Sequence, residues 1–340
     1  MSIDLRSDTV TKPTTAMLNA MMQATVGDDV FGEDPSINLL EEKAADLFGM
    51  EAALFCPSGT MTNQIAIKVH TRLGDEIISH NYAHIYNYEG GGMAFNAGCQ
   101  AKLIGGDRGL MNSTDVEAAI GNPMDVHAAR TSLVAIENTS NKGGGSCYDL
   151  ESLHQIKAVC TENNLGYHLD GARLFNALIA KNQSPKDYGN LFDSISICLS
   201  KGLGCPVGSL LLADKSFIFE AKRVRKKFGG GMRQAGFIAA AGIYALDNHI
   251  SRLSEDHEKA QVLKQALEKC SWVKSIEPVE TNIVIFYLRE GKSDEAFLAK
   301  LADMGVLAIG MGQGKLRFVT HLDVSMEDIQ QVGQKLESLI

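Results

Sequence analysis

The feature that most constrains this chain is a repeated alternation. From about residue 28 to residue 246, short apolar runs recur between stretches with helical spacing. The runs are 52–55, 76–79, 101–104, 133–137, 166–169, 194–199 and 208–212, most of them flanked on at least one side by a glycine, asparagine or charged residue. Short apolar runs recurring between helical stretches predict strands. Helices between them predict a mostly parallel, seven-stranded sheet covered on both sides. After residue 250 the pattern changes to a charged helix over 252–268, a strand-like Thr281-Asn-Ile-Val-Ile-Phe-Tyr-Leu, a further strand near 315–320 and a last helix. That is the pattern of a smaller α+β unit. The expected organisation is therefore an N-terminal segment (1–27), a large α/β domain (28–247) and a small C-terminal α+β domain (248–340), and 340 residues suit about two domains.

In open α/β sheets, ligands bind beyond the carboxyl ends of the strands. Two such ends carry chemistry. Lys201 follows the apolar run 192–199 and precedes Gly202 and Gly204, a lysine at the mouth of a core, where it is freed as a nucleophile. Asp170, in Leu165-Gly-Tyr-His-Leu-Asp170-Gly-Ala-Arg173, ends the preceding run 31 residues upstream, the length of one strand-to-strand crossover. An Asp-Gly pair also suits a plain turn. A third end, Phe55-Cys-Pro-Ser-Gly-Thr60, runs into a helical pattern. Ser58, Gly59 and Thr60 there offer hydroxyls, a close backbone approach and a helix N-terminus to an anion, although Ser-Gly-Thr is also ordinary capping. A lysine for an aldehyde carbon, a carboxylate for a pyridine nitrogen and a phosphate turn are together what pyridoxal phosphate requires of a protein.

Six blocks in order strengthen this: Asp4-Leu-Arg-Ser-Asp-Thr-Val-Thr, Val26-Gly-Asp-Asp-Val-Phe-Gly-Glu-Asp-Pro35, Pro57-Ser-Gly-Thr-Met-Thr-Asn63, His168-Leu-Asp-Gly-Ala-Arg-Leu-Phe-Asn176, Gly229-Gly-Gly-Met-Arg-Gln-Ala-Gly236 and Leu316-Arg-Phe-Val-Thr-His-Leu-Asp323. Over nearly its whole length the chain resembles the low-specificity L-threonine aldolases, pyridoxal-phosphate lyases related to the aspartate aminotransferase fold. The resemblance implies retro-aldol cleavage of threonine and allo-threonine to acetaldehyde and glycine. It implies Lys201 as the cofactor lysine, Asp170 as the partner of the ring nitrogen, and Ser58, Gly59 and Thr60 as the phosphate turn. Arg317, Arg173 and Ser7 become candidates for the substrate carboxylate, with Arg173 alternatively on the ring oxygen. His84 stacks on the ring and, like His127, is a candidate for the base that takes the β-hydroxyl proton, with Glu89 orienting His84. Lys226 and Arg233 are expected to reach the cofactor phosphate of a neighbouring subunit, in a homotetramer built as a dimer of dimers. Two positions depart from the family pattern: Ser140, where many relatives carry histidine, and Phe31, where tyrosine is frequent.

Rival readings keep the same lysine. Another lyase or an aminotransferase on this fold would orient a different bond at Cα, and a non-catalytic homologue would bind cofactor without turnover. A dinucleotide-binding module would need Gly-x-Gly-x-x-Gly after the first strand, which the sequence lacks. A net charge of −9 argues against nucleic acid, and the basic run 222–227 reads as a solvated helix face. No apolar run nears the ~20 residues that span a bilayer. Seven scattered cysteines without a Cys-x-x-Cys pair point to a reducing cytoplasm and to no zinc site, and no acidic cluster marks another metal.

Overall fold

The computed structural model describes residues 2–289 and 293–339. Its main sheet has seven strands in the spatial order Ala52–Cys56, Ser209–Ala213, Ser194–Cys198, Gly166–Gly171, Thr131–Glu137, Glu76–His80 and Gln100–Ile104. All seven expected runs are present. Neighbours from Ser194–Cys198 to Gln100–Ile104 are parallel, whereas Ser209–Ala213 runs against both of its neighbours. The reason is loop length. Only residues 199–208 separate it from Ser194–Cys198, too few for the crossover that a parallel return needs. Gly204 (φ 75°) and Gly208 (φ 116°) make the reversal possible, in backbone conformations that side chains disfavour.

Both faces of the sheet are covered, as the alternation of strands and helices requires. On the strand Thr131–Glu137, Val134 and Ile136 belong to the core beneath the helices Pro35–Phe48, Leu150–Glu162 and Gly236–Asn248. Leu133 and Ala135 point the other way, into the core shared with Ile67 of the helix Gly59–His70 and with Met93 and Ala97. The edge strand Ala52–Cys56 is closed by side chains. Phe55 N–H donates to Glu41 Oε1 at 2.8 Å and Phe55 C=O accepts from Arg225 Nη1 at 2.7 Å, so the outward polar groups at Phe55 are not open to another strand.

The C-terminal part is a four-stranded antiparallel sheet in the order Ile309–Gly312, Lys315–Val319, Ile283–Leu288, Val273–Ile276. Val284, Phe286, Leu316 and Phe318 bury one face of it against the helices Leu253–Glu268 and Met326–Glu337. The N-terminal segment joins both parts. Ile3–Asp4 pairs in parallel with Val306–Leu307, and the helix Thr15–Met22 packs on Gly236–Asn248. It thereby carries Ser7 and Asp8 across the carboxyl ends of the main sheet, where Asp8 meets Arg173.

Candidate active site

Lys201 and Asp170 stand at the carboxyl ends of two adjacent parallel strands, Ser194–Cys198 and Gly166–Gly171. Between them lies a cleft of about 150 Å³ whose lining includes Gly59, Thr60, Asn63, His84, Asp170 and Lys201. The helix Gly59–His70 aims its N-terminus into this cleft. Ser58 caps it, its Oγ accepting from Met61 N–H at 3.2 Å, which leaves its O–H free to donate. Gly59 is required at this point, because a Cβ would run into Cys198 Sγ on the strand below. The close approach brings the free amides and positive end of a 12-residue helix beside the lysine, as an anion would need.

The floor of the cleft is a polar network that spacing alone does not reveal. Asn63 Nδ2 donates to Asp170 Oδ2 and to Glu89 Oε1, both at 2.9 Å. Gln64 Nε2 donates to Glu89 Oε2 at 2.6 Å, and Glu89 Oε1 lies 3.0 Å from His84 Nδ1. Burial opposes a charge on His84. The hydrogen bond to Glu89 and the carboxylates of Asp170 and Glu137 outweigh it, and the imidazole pKa stands above its ordinary value. Glu137 ties this floor to the far wall, its two oxygens accepting from His84 N–H and Asn141 N–H, each at 2.9 Å. Burial, reinforced by the like charge of Asp170, pushes the Glu137 carboxyl up to about 7. His84, Glu89 and Asp170 also bring their ligand atoms within 4.8 Å of one another, a convergence that the sequence does not disclose. Amide N–H groups reach both Glu89 oxygens and both Asp170 oxygens, the second of the latter from Ala172 N–H at 3.2 Å, so the set fits the underside of a polar ring better than a cation.

A second wall, outside the lining of this cleft, carries two buried guanidiniums and one carboxylate. Arg173 donates from Nε and Nη2 to Asp8, both at 2.7 Å, in a fork with almost no solvent exposure. Asp8 thus holds the Nε–Nη2 edge of the Arg173 fork, a pairing that the sequence does not disclose. Arg317 lies near this pair. Its Nη1 donates to Asn141 Oδ1 at 2.6 Å and its Nη2 to Arg6 C=O at 3.0 Å, while Nε is buried without an acceptor. Burial, then the positive charge of Arg173, lowers the Arg317 pKa to about 10. An orphaned donor beside a surplus of positive charge is what a carboxylate ligand would satisfy. Ser7 caps the turn Asp8–Val10 at this wall, its Oγ accepting from Thr9.

Three candidates lie elsewhere. His127 sits on an exposed loop, its side chain 91% accessible and paired with Asp125, because among the described residues nothing packs over residues 124–127. Arg233 is exposed and paired with Asp28 at 2.8 Å. Lys226 lines a separate cavity of about 310 Å³ together with Asp29, Lys222 and Arg225. The basic run is mostly solvated, as expected, but Arg225 turns inward to Asp29 at 2.9 Å. Of the two unusual positions, Ser140 is fully buried and Phe31 is 74% exposed.

Residues 4–291 match the family model described as beta-eliminating lyase. The low specificity L-threonine aldolase of Escherichia coli (strain K12) is 43% identical over 97% of both chains. A probable low-specificity L-threonine aldolase 2 of Arabidopsis thaliana is 40% identical over 99% of this chain and 97% of that one. Among solved structures, a Leishmania major threonine aldolase superposes with a TM-score of 0.85 over 99% of each chain; at 22% identity this speaks for the fold. No helix among the described residues is long and apolar enough to cross a membrane. From the family match and relatives at 40% identity or more, the chain belongs to the beta-eliminating lyase family, with low-specificity L-threonine aldolases as its relatives.

Proposed function

We propose that this chain is a pyridoxal-phosphate-dependent aldehyde-lyase that cleaves L-threonine, L-allo-threonine and related β-hydroxy-α-amino acids to glycine and an aldehyde. The observation that carries the reading is the convergence of Lys201, Asp170, Gly59 and Thr60 on one cleft, with the unpartnered Arg317 Nε on a side chain tied to His84 through Asn141 and Glu137. Lys201 would hold the cofactor's aldehyde carbon, Asp170 its ring nitrogen, and Ser58, Gly59 and Thr60 its phosphate. When bound, that cofactor supplies a ring that accepts the electron pair released at the substrate's Cα.

The chain's own residues then choose the bond. Arg317 fixes the α-carboxylate, and this sets which substituent of Cα stands perpendicular to the ring. His84 takes the β-hydroxyl proton. In its neutral form Glu89 draws the ring proton to Nδ1, which leaves Nε2 bare as the base. Because His84 must lose a proton to act, activity should rise with pH through a pKa above the ordinary histidine value. In Glu89→Gln the carboxylate that raises this pKa is gone, so the rising limb of kcat against pH should move to lower pH. A limb that stays in place would remove His84 from the role of base.

The three outlying candidates support a homotetramer, a dimer of dimers in which His127, Lys226 and Arg233 complete a neighbour's cleft. Exposed apolar side chains such as Phe31, Phe95, Val126 and Phe237 suit such contacts. An active monomer in sedimentation would refute it. Seven buried, unpaired cysteines suit a cytoplasmic enzyme. The reading as a whole is tested by incubating the protein with L-threonine and L-allo-threonine and measuring acetaldehyde and glycine. A keto-acid product without glycine would instead favour an aminotransferase or another lyase, and a cofactor absorbance band without turnover a non-catalytic homologue.

A further inference from the structure

A hydrogen-bonded chain runs through the protein interior to Asp170 from behind. His70, at the end of the helix Gly59–His70, has Nε2 2.8 Å from Ser194 Oγ. Ser194 Oγ is 2.8 Å from His168 Nδ1, and His168 Nε2 is 3.2 Å from Asn63 Oδ1. Asn63 Nδ2 then reaches Asp170 Oδ2 at 2.9 Å. His168, Ser194 and Asn63 are all buried.

The proton positions along this chain can be worked out from its cleft end. Asn63 Nδ2 stands between Asp170 and Glu89, which accept hydrogen bonds from it, so the amide's NH₂ must face them and its Oδ1 must face His168. Oδ1 can only accept, and therefore His168 Nε2 carries a proton. Burial, with the neighbouring His70, depresses the His168 pKa to about 3, so the ring is neutral and its Nδ1 is bare. Ser194 must then donate its O–H to Nδ1 and receive His70 Nε2–H. Burial likewise lowers the His70 pKa to about 4. His70 has little freedom to turn, packed 4.6 Å from the Phe217 ring and against Gly166, where a Cβ would lie 2.7 Å from its Nδ1. Every hydrogen bond in the chain thus points the same way, and each polarises the next.

We propose that His168 is a positioning residue for Asp170. Held as its Nε2–H tautomer by Ser194 and His70, it fixes the orientation of the Asn63 amide, which in turn holds the Asp170 carboxylate toward the cofactor's ring nitrogen. The opposite tautomer would set a bare Nε2 against Asn63 Oδ1, lone pair to lone pair. The functional half of this proposal rests on the pyridoxal phosphate reading, whereas the tautomers do not.

The tautomers are read directly by magic-angle-spinning NMR of the full chain labelled with ¹⁵N-histidine, with and without added pyridoxal phosphate. His70→Gln and His168→Gln spectra assign the resonances. The expected result is N–H at Nε2 and a bare Nδ1 in both residues. A His168 protonated at Nδ1, or at both nitrogens, overturns the proposal whatever the enzyme's reaction. For the functional half, His168→Phe should raise the dissociation constant for pyridoxal phosphate about tenfold and lower kcat about tenfold with KM for threonine unchanged. His168→Gln, whose amide can still donate to Asn63, should recover most of both. Equal losses in the two variants would mean that the ring only fills space, and would sink the positioning role. If the parent protein binds no pyridoxal phosphate, the functional reading falls, and the NMR result still decides the tautomers.

Discussion

Lys201→Ala is expected to lower kcat on L-threonine on the order of 10³-fold or more and to abolish the visible absorbance band of bound cofactor. The expectation follows from position. Lys201 is half-buried at the mouth of the cleft, and among the described residues its Nζ enters no hydrogen bond or ion pair. A lysine that held the loop in place would be paired. The backbone does that work here, Lys201 C=O accepting from Gly204 N–H at 2.8 Å and from Thr11 Oγ1 at 3.1 Å. The variant should therefore unfold at nearly the parent's temperature, which separates loss of chemistry from loss of structure. Acetaldehyde release and an absorbance scan on the same preparation check both effects. Survival of band and activity together would overturn the assignment of this lysine.

The parts of the molecule legible in the sequence are those whose signal is local. Lys201, Asp170 and the Ser58–Thr60 turn each sit where an apolar strand gives way to glycine, and that juncture is written in a few adjacent residues. Six strands of the main sheet are legible for the same reason, because burial makes each a largely apolar run, whereas Gln100–Ile104 is half-exposed or exposed and is read from its place in the alternation. The strands Val273–Ile276 and Ile309–Gly312 lie at the two edges of the small sheet, are largely half-exposed or exposed, and carry too weak a pattern to be read. What the sequence conceals is pairing over distance. Asn63 meets Asp170 across 107 positions, Arg317 meets Asn141 across 176, and Arg173 meets Asp8 across 165. Nothing near Arg173 says that its partner lies in the N-terminal segment. Its surroundings suit a substrate ligand, and only tertiary packing brings Asp8 to it. Glu89 was legible as a partner of His84 because five residues separate them across one turn. Its ties to Asn63 and Gln64, on another helix, were not.

The Asp8–Arg173 pair is where that concealed packing should have its largest effect on stability. Asp8→Asn keeps the shape of the side chain and removes its charge, so Arg173 is left buried and uncompensated beside Arg317. Breaking one side of a buried pair costs about 3–5 kcal/mol, and urea unfolding at pH 7 should show a loss of that size. The acid side gives an independent check. Burial alone would raise the Asp8 pKa, but the Arg173 charge and hydrogen bonds outweigh it and hold the carboxyl at about 2. A carboxyl whose folded pKa is depressed stabilises the fold fully above its unfolded value of 3.8. That contribution fades as pH falls from there through about 2, so the parent's stability should decline across this window and the variant should lack this part of the decline. Asp8→Asn combined with Arg173→Met removes both charges, and most of the lost stability should return. Activity should not, because the double variant no longer supports the wall that holds Arg317. If Asp8→Asn lost less than about 1 kcal/mol, Arg173 would have another partner, and its fork would again be open to the substrate carboxylate.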